Sequence, residues 1–254
     1  MIKSIIQNLL KKYGYEIVKP DSRLVINGLP ADFDAQTLQI ISQTKPYTLT
    51  TPERIASLVN AVNYVVENNI EGDIVECGVW KGGSSMAAMA ALKHKNDFSR
   101  EIYLYDTYEG MSAPTEEDKV FTGTSAETML ESSDVNDATS VWCYSSIEEV
   151  KANVAIINYP TQKLHFVKGK VEDTIPQTIP TKIAVLRLDT DWYQSTKHEL
   201  EHLYPLLVSG GVLIIDDYGH WEGARKAVDE YIAKHKLQIL LNRIDYTGRI
   251  AIKP

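Results

Sequence analysis

The sequence is poor in several features that would each commit it to a particular class of protein. Its 254 residues include only two cysteines, Cys77 and Cys143, and they form no C-x-x-C pair. A disulfide framework and a cysteine zinc site are therefore excluded. No stretch approaches the roughly 20 apolar residues that span a bilayer, and the apolar run after Met1 is too short and interrupted for a secretory signal. We therefore expect a cytoplasmic protein.

The chain also lacks an excess of basic residues. Its 26 Lys and Arg stand against 34 Asp and Glu, which gives a formal net charge of −8. A protein that binds the nucleic-acid backbone needs a basic patch, so neither nucleic acid nor a membrane is the expected partner. With 44% hydrophobic residues the composition is that of a globular protein with one large α/β domain or two small ones.

Apolar segments of strand length alternate with helical patterns from residue 73 onward. This alternation predicts an α/β fold with a mostly parallel, doubly wound sheet of seven strands. The last two strands have no helix between them, so we expect an antiparallel strand at the edge. The predicted strands are 73–78, 101–106, 163–167, 182–189, 212–217, 238–241 and 249–252.

Two parts of the chain fall outside that alternation. Residues 1–46 have too little apolar content for a core of their own and are predicted to be a helical N-terminal extension of a domain at 47–254. Residues 107–143 are rich in Ser, Thr, Asp and Glu and form a long insertion, which we expect to act as a lid. An extension of this kind often packs on a second subunit, so we expect a homodimer or a higher homo-oligomer.

The first candidate site is the strand-to-helix turn at 76–85. Open α/β sheets bind ligands at the carboxyl ends of their strands, and glycines let the backbone approach a ligand closely. The spacing is not G-x-G-x-x-G, which argues against a nicotinamide cofactor. The pattern of Glu76, Gly78 and Ser84 resembles instead the first motif of S-adenosylmethionine-dependent methyltransferases. An ordinary tight turn is the alternative.

Acidic residues end three further strands. Asp106, with Thr107 beside it, ends the second strand, where an acid accepts hydrogen bonds from ribose hydroxyls. Asp189 follows the fourth strand, and Asp216 and Asp217 end the fifth. Three carboxylates on one rim repel each other unless a cation neutralises them, and oxygen ligands without cysteine or histidine indicate Mg²⁺. A turn or a helix cap is the alternative for any single Asp.

A histidine follows the acidic pair directly. His220 has the chemistry of a base or of a donor to a substrate, because its ordinary pKa lies near neutrality. A structural hydrogen bond in a loop explains a histidine there equally well.

These motifs together resemble the macrocin/mycinamicin-type (TylF-like) O-methyltransferases, a family that also includes an enzyme of novobiocin biosynthesis. The resemblance extends from about residue 30 to the C-terminus. The matching segments, in order, are YTLTTPER at 47–54, DIVECGVWKGGS at 73–84, DTYEGM at 106–111, LRLDTDWYQST at 186–196, GGVLIIDDY at 210–218 and AVDEY at 227–231.

The resemblance implies a class I (Rossmann-like) methyltransferase fold, bound S-adenosylmethionine and a divalent cation, usually Mg²⁺. It implies that Asp189, Asp216 and Asp217 are the metal ligands. The 27-residue separation of Asp189 from Asp216 selects Asp189 over Asp191. Asp189 also matches the family's proposed general base and is counted with the cofactor site. The other implied cofactor-binding residues are Thr50, Thr51, Glu76, Gly78, Ser84, Asp106 and Thr107.

The expected activity is metal-dependent transfer of a methyl group to a hydroxyl of a sugar or a glycosylated natural product, with Asp189 as general base and His220 as a second catalytic candidate. A catechol-type phenol O-methyltransferase is the nearest alternative, because Trp192, Tyr193 and Trp221 suit a flat acceptor. A non-catalytic protein that keeps a cofactor-binding fold is another, although clustered unpaired carboxylates are costly to retain without a use.

Overall fold

The computed structural model describes residues 25–26, 28–137 and 140–254. The chain divides into two compact units, Met1–Leu38 and Gln39–Pro254. The first unit contains an antiparallel hairpin of β1 (Val25–Ile26) and β2 (Leu29–Pro30), and helix α1 (Ala35–Thr44) begins in it. The helical pattern at 1–12 lies outside the described residues. The predicted division after residue 46 stays a prediction.

A seven-stranded sheet forms the centre of the second unit, in the order β5-β4-β3-β6-β7-β9-β8. Strands β3 to β7 run parallel, whereas β9 is antiparallel to β7 and β8 is antiparallel to β9. The predicted mostly parallel sheet with an antiparallel edge is therefore confirmed. The strands are β3 (Asp73–Cys77), β4 (Ile102–Asp106), β5 (Leu164–Lys168), β6 (Ile183–Leu188), β7 (Leu207–Ile215), β8 (Asn242–Arg243) and β9 (Arg249–Ile252).

Helices connect the parallel strands, and apolar residues at helical spacing turn toward the sheet. Thr51 caps the helix that precedes β3 by accepting a hydrogen bond from the backbone N–H of Arg54, and Pro52 opens that helix. The helices after α1 are α2 (Pro52–Glu67), α3 (Gly83–His94), α4 (Ala126–Glu131), α5 (Ile147–Ala155), α6 (Val171–Thr174), α7 (Tyr193–Leu203) and α8 (Glu222–His235). Among the described residues, none of the helices combines the length and the apolar character that crossing a membrane requires.

Strand β6 lies at the centre of the sheet, and all six of its residues are buried. Burial of its apolar side chains between the helical layers is the main force that holds the strand in place, at about 25 cal/mol for each Å² of apolar surface. Its fifth residue, Arg187, is charged and only 3% exposed. A buried charge needs partners, and those of Arg187 lie in the site described below.

The predicted strand at 238–241 is wrong in its bounds. Leu237, Ile239 and Leu241 pack against the core, whereas Leu240 is 76% exposed, so the side chains alternate as the sequence pattern indicates. The backbone pairing with β9 nevertheless begins only at β8, where Asn242 lies opposite Ile250. The alternation of apolar and polar residues indicates which side chains are buried, but it does not indicate where pairing with the neighbouring strand begins.

The insertion at 107–143 shares a small hydrophobic cluster with the main domain. Val120, Ala126 and Leu130 of the insertion pack with Trp192 and Trp221 from the main domain. A β-bridge joins Val120 to Trp221, and the indole N–H of Trp142 donates to the backbone oxygen of Leu130. These contacts hold the insertion beside the carboxyl ends of β6 and β7.

Candidate functional site

A cavity of about 230 Å³ opens at the carboxyl ends of the central strands. Its wall includes most of the residues that the sequence predicts for the site, whereas Thr51, Glu76 and His220 lie outside it. The predicted residues in the wall are Thr50, Gly78, Ser84, Asp106, Thr107, Asp189, Asp216 and Asp217. We call the loop at 76–80 with Asp106 the cofactor rim, and Asp189, Asp191, Asp216 and Asp217 the acidic rim.

Gly78 joins the two rims through the backbone. It has a φ of +83°, which favours glycine, and a Cβ atom here would overlap the backbone oxygen of Asp189. Two backbone hydrogen bonds flank this contact. The N–H of Gly78 donates to the backbone oxygen of Tyr105 at 2.9 Å, and the N–H of Asp189 donates to the backbone oxygen of Cys77 at 2.9 Å. A side chain at Gly78 would therefore push the two rims apart.

Asp106 organises the cofactor rim. One of its carboxylate oxygens accepts hydrogen bonds from the backbone N–H groups of Val79 at 2.7 Å and Trp80 at 3.0 Å, and the other accepts from Tyr108 at 2.7 Å. Burial raises the pKa of Asp106, and these three N–H donors oppose that rise. The predicted ribose-binding acid thus lies in the cavity wall and fixes the loop around it.

Arg187 is the charged centre beneath the cavity. Its guanidinium contacts Glu76 at 2.6 Å, Asp189 at 2.7 Å and Asp216 at 2.8 Å, and it donates to the hydroxyl of Thr50 at 3.1 Å. Glu76 is only 3% exposed and lies outside the cavity wall, where its charge is paired with that of Arg187. Glu76 thus positions Arg187, and its predicted place among the cofactor-binding residues stays a prediction.

Three carboxylates of the acidic rim face one another. Oxygens of Asp189, Asp191 and Asp217 lie within 4.8 Å of one another. Burial, opposed in part by Arg187, raises the pKa of Asp189 well above its ordinary value, and burial with the charge of Asp191 does the same for the pKa of Asp217. Burial and the charge of Asp189 raise the pKa of Asp191 to about 7. The cluster is therefore short of positive charge.

Asp216 is not one of these three carboxylates, and its oxygens contact two arginines. It forms ion pairs with Arg54 and with Arg187, and Arg54 also contacts Asp245 at 3.1 Å. Its Oδ1 atom, although 2.8 Å from Arg187, has no aligned hydrogen bond. Asp216 is thus held at the edge of the cluster with one oxygen incompletely satisfied.

Thr51 and His220 have structural partners. The hydroxyl of Thr51 caps α2 and donates to Asp245 at 2.8 Å. The Nδ1 atom of His220 lies 2.5 Å from the hydroxyl of Tyr246, outside the cavity wall. The proposed roles of these two residues in the cofactor site and in catalysis stay predictions.

Arg54 and Arg187 are not among the residues predicted from the sequence, and Asp189 was preferred there to Asp191. A signal existed for Arg187, because a charged residue inside an otherwise apolar strand needs a buried partner. The Asp189-x-Asp191 spacing was a second signal. Arg54 lies in the first turn of α2, where the sequence carries no sign that it reaches Asp216, 162 residues further along.

Comparison with known proteins places the chain in a family. The model of the macrocin O-methyltransferase (TylF) family matches residues 31–251. The chain is 30% identical, over 98% of its length and 89% of the other protein, to a rhamnosyl-tetracenomycin-C 4'-O-methyltransferase of Streptomyces olivaceus. It is 31% identical, over 80% of its length and 74% of the other protein, to the demethyldecarbamoylnovobiocin O-methyltransferase of Streptomyces niveus.

A solved structure agrees with this relationship. The O-methyltransferase NovP superposes with a TM-score of 0.71 at 27% identity, and the match covers 98% of both chains. The comparison extends over the cofactor rim, the insertion and the acidic rim alike.

Proposed function

The chain belongs to the macrocin O-methyltransferase (TylF) family and is an S-adenosylmethionine-dependent O-methyltransferase, and on that premise we propose that it methylates a sugar hydroxyl of a small-molecule glycoside. Support for a glycoside acceptor comes from the relatives, since the name of the Streptomyces olivaceus enzyme specifies a rhamnosyl tetracenomycin. The observation that carries the proposal is the backbone contact between Gly78 of the cofactor rim and Asp189 of the acidic rim in one cavity.

The acidic rim fits a divalent cation. Its donor set consists of carboxylate oxygens, which Mg²⁺ prefers, and one Asp216 oxygen lacks an aligned hydrogen bond. We propose that Asp189 and Asp217 hold the cation, with Asp216 joining them and Asp191 close by. A cation held there lowers the pKa of a hydroxyl that it contacts.

Asp189 is the proposed general base. It lies in the cavity wall, and Arg187 fixes its side chain by an ion pair at 2.7 Å. A carboxylate held within reach of the acceptor hydroxyl can take its proton. S-adenosylmethionine carries both the methyl group and its leaving group, so the residues of the chain need only position the acceptor and remove its proton.

The test is a methyl-transfer assay with labelled S-adenosylmethionine and a panel of rhamnosides, with a catechol included as the competing acceptor class. We expect methylation of a rhamnoside that stops in EDTA and returns when excess Mg²⁺ is added. Methylation of the catechol alone would identify a phenol O-methyltransferase instead, and transfer unaffected by EDTA would refute the cation.

A second measurement is independent of turnover. Mg²⁺ at about 100 times its Kd should stabilise the protein by about 2.7 kcal/mol, seen as a rise in Tm. Asp217→Asn should abolish the rise, whereas Asp118→Asn, on a buried aspartate outside the cavity wall, should keep it. An equal rise in both variants would place the cation elsewhere. The homodimer and the cytoplasmic location stay further predictions.

A further inference from the structure

Three partly exposed rings from separate segments meet outside the cavity. Phe121 of the insertion is 58% exposed, Tyr246 between β8 and β9 is 50% exposed, and His220, which follows β7, is partly exposed. The ring centroids of Phe121 lie 6.2 Å from those of both His220 and Tyr246, and those two are 5.8 Å apart. We call Phe121, His220 and Tyr246 the aromatic patch.

The backbone fixes these rings relative to one another. The N–H of Phe121 donates to the backbone oxygen of His220 at 3.0 Å, and the N–H of Gly219 donates to the oxygen of Thr247 at 2.9 Å. A Cβ atom at Gly219 would overlap the backbone oxygen of Tyr246, so the two loops are in direct contact. The aromatic patch is therefore a built surface rather than three independent side chains.

The aromatic patch borders the acidic rim. The backbone N–H groups of His220 and Trp221 both donate to the backbone oxygen of Asp217, at 2.9 and 3.0 Å. Arg54, a residue of the cavity wall, packs against Gly248 two residues after Tyr246. The aromatic patch is thus joined through the backbone to the acidic rim and lies outside the cavity wall.

The orientation of the rings indicates what they bind. Phe121 stands at 66° to His220 and at 71° to Tyr246, while His220 and Tyr246 stand at 84°. A planar ring stacked on the face of one of these three rings would meet the edges of the other two. Stacked and edge-to-face contacts are the two arrangements that aromatic rings prefer. The Tyr246 hydroxyl and the His220 Nδ1 atom are engaged with each other, which leaves few partners for sugar hydroxyls.

We propose that the aromatic patch is the subsite for a planar, conjugated aglycone, which holds the acceptor while its sugar reaches the acidic rim. The proposal rests on the proposed function, because it takes the acceptor to be a glycoside. It names the class of acceptor more closely: a sugar attached to a flat aromatic system rather than to an aliphatic one.

The test compares two acceptors with one sugar, methylumbelliferyl α-L-rhamnoside and methyl α-L-rhamnoside. Loss of ring stacking in Phe121→Ala should lower the ratio of their kcat/KM values, aromatic over methyl, by about tenfold, mainly through KM for the aromatic acceptor. Tyr246→Ala should act in the same direction, and Tyr246→Phe, which keeps the ring, should restore most of the ratio. Phe98→Ala, on a ring that is 40% exposed near the opposite ends of the strands, should leave the ratio unchanged.

A binding measurement separates this proposal from the proposed function. In saturation-transfer NMR, free methylumbelliferone should receive signal from the wild-type protein and from Phe98→Ala, and much less from Phe121→Ala. That pattern without methylation of either rhamnoside would refute the glycoside acceptor and keep the subsite. Equal signal from all three proteins, no signal from any, or an unchanged kcat/KM ratio in Phe121→Ala would overturn the subsite.

Discussion

The cofactor rim and the acidic rim belong to one site, and their carboxylates differ in their partners. On the cofactor rim, Asp106 accepts hydrogen bonds from three backbone N–H groups, and Glu76 is paired with Arg187 and with the hydroxyl of Ser85. On the acidic rim, Asp189, Asp191 and Asp217 face one another. Burial raises pKa values on both rims, but three backbone N–H donors oppose the rise at Asp106, whereas neighbouring carboxylates add to it at Asp189, Asp191 and Asp217.

Arg187 shows that the two rims are nevertheless one electrostatic system. The same guanidinium forms ion pairs with Glu76 of the cofactor rim and with Asp189 and Asp216 of the acidic rim. Arg54 adds a second positive charge on the acidic side alone. The comparison therefore predicts that changes at the acidic rim affect catalysis, changes at Arg187 affect both rims, and changes at peripheral contacts have small effects.

The largest expected effect is on catalysis. Asp189→Asn removes the proposed base and should lower kcat by about 10³-fold or more, with the affinity for S-adenosylmethionine changed only a few-fold. Asp191→Asn is the matched control, since it makes the same chemical change in the same cluster and should cost less. Steady-state kinetics and titration calorimetry measure the two quantities. Near-normal turnover in Asp189→Asn would remove the base assignment.

The next effect is on stability. Arg187→Gln leaves Glu76 and Asp189 without their buried partner, and we expect the free energy of unfolding to fall by about 3 kcal/mol or more. Arg54→Gln, which leaves Asp216 paired with Arg187, should cost clearly less. Urea unfolding of both variants decides the point. Equal losses would show that Arg187 does not link the two rims.

A further effect concerns pH. Because the pKa of Asp191 is raised to about 7, the folded protein holds a proton there that the unfolded chain has released, so stability falls as pH rises from about 4 to about 7. In EDTA, Asp191→Asn should reduce that slope by up to about 1.4 kcal/mol per pH unit. Urea unfolding across this pH range measures the slope. An unchanged slope would mean that Asp191 is ionised throughout.

The smallest effect separates a helix cap from a ligand contact. Thr51→Ala should cost about 1 kcal/mol of stability through loss of the cap on α2, with little change in the Kd of S-adenosylmethionine. Thr51→Ser keeps the hydroxyl and should retain most of the stability. Thermal unfolding and calorimetry check the pair. A Kd for S-adenosylmethionine raised tenfold in Thr51→Ala would show that Thr51 contributes to cofactor binding.

Much of the site was predictable because strand ends are encoded locally. Asp106, Asp189 and Asp217 each follow an apolar run, and parallel strands carry such residues to one edge of the sheet. Gly78 was predictable for the same reason, since a turn after a buried strand favours glycine. The bounds of β8 were not predictable, because they depend on which residues find a partner in β9.

Local sequence patterns specify the order of strands and helices along the chain, the family, and the acidic residues that end the strands. They do not specify which of these carboxylates face one another, nor that Arg54 and Arg187 contact Asp216 while Asp191 joins Asp189 and Asp217. The reason is distance along the chain. Periodicity specifies the face on which a side chain lies, whereas the pairing of charges depends on segments that meet only when the sheet is assembled.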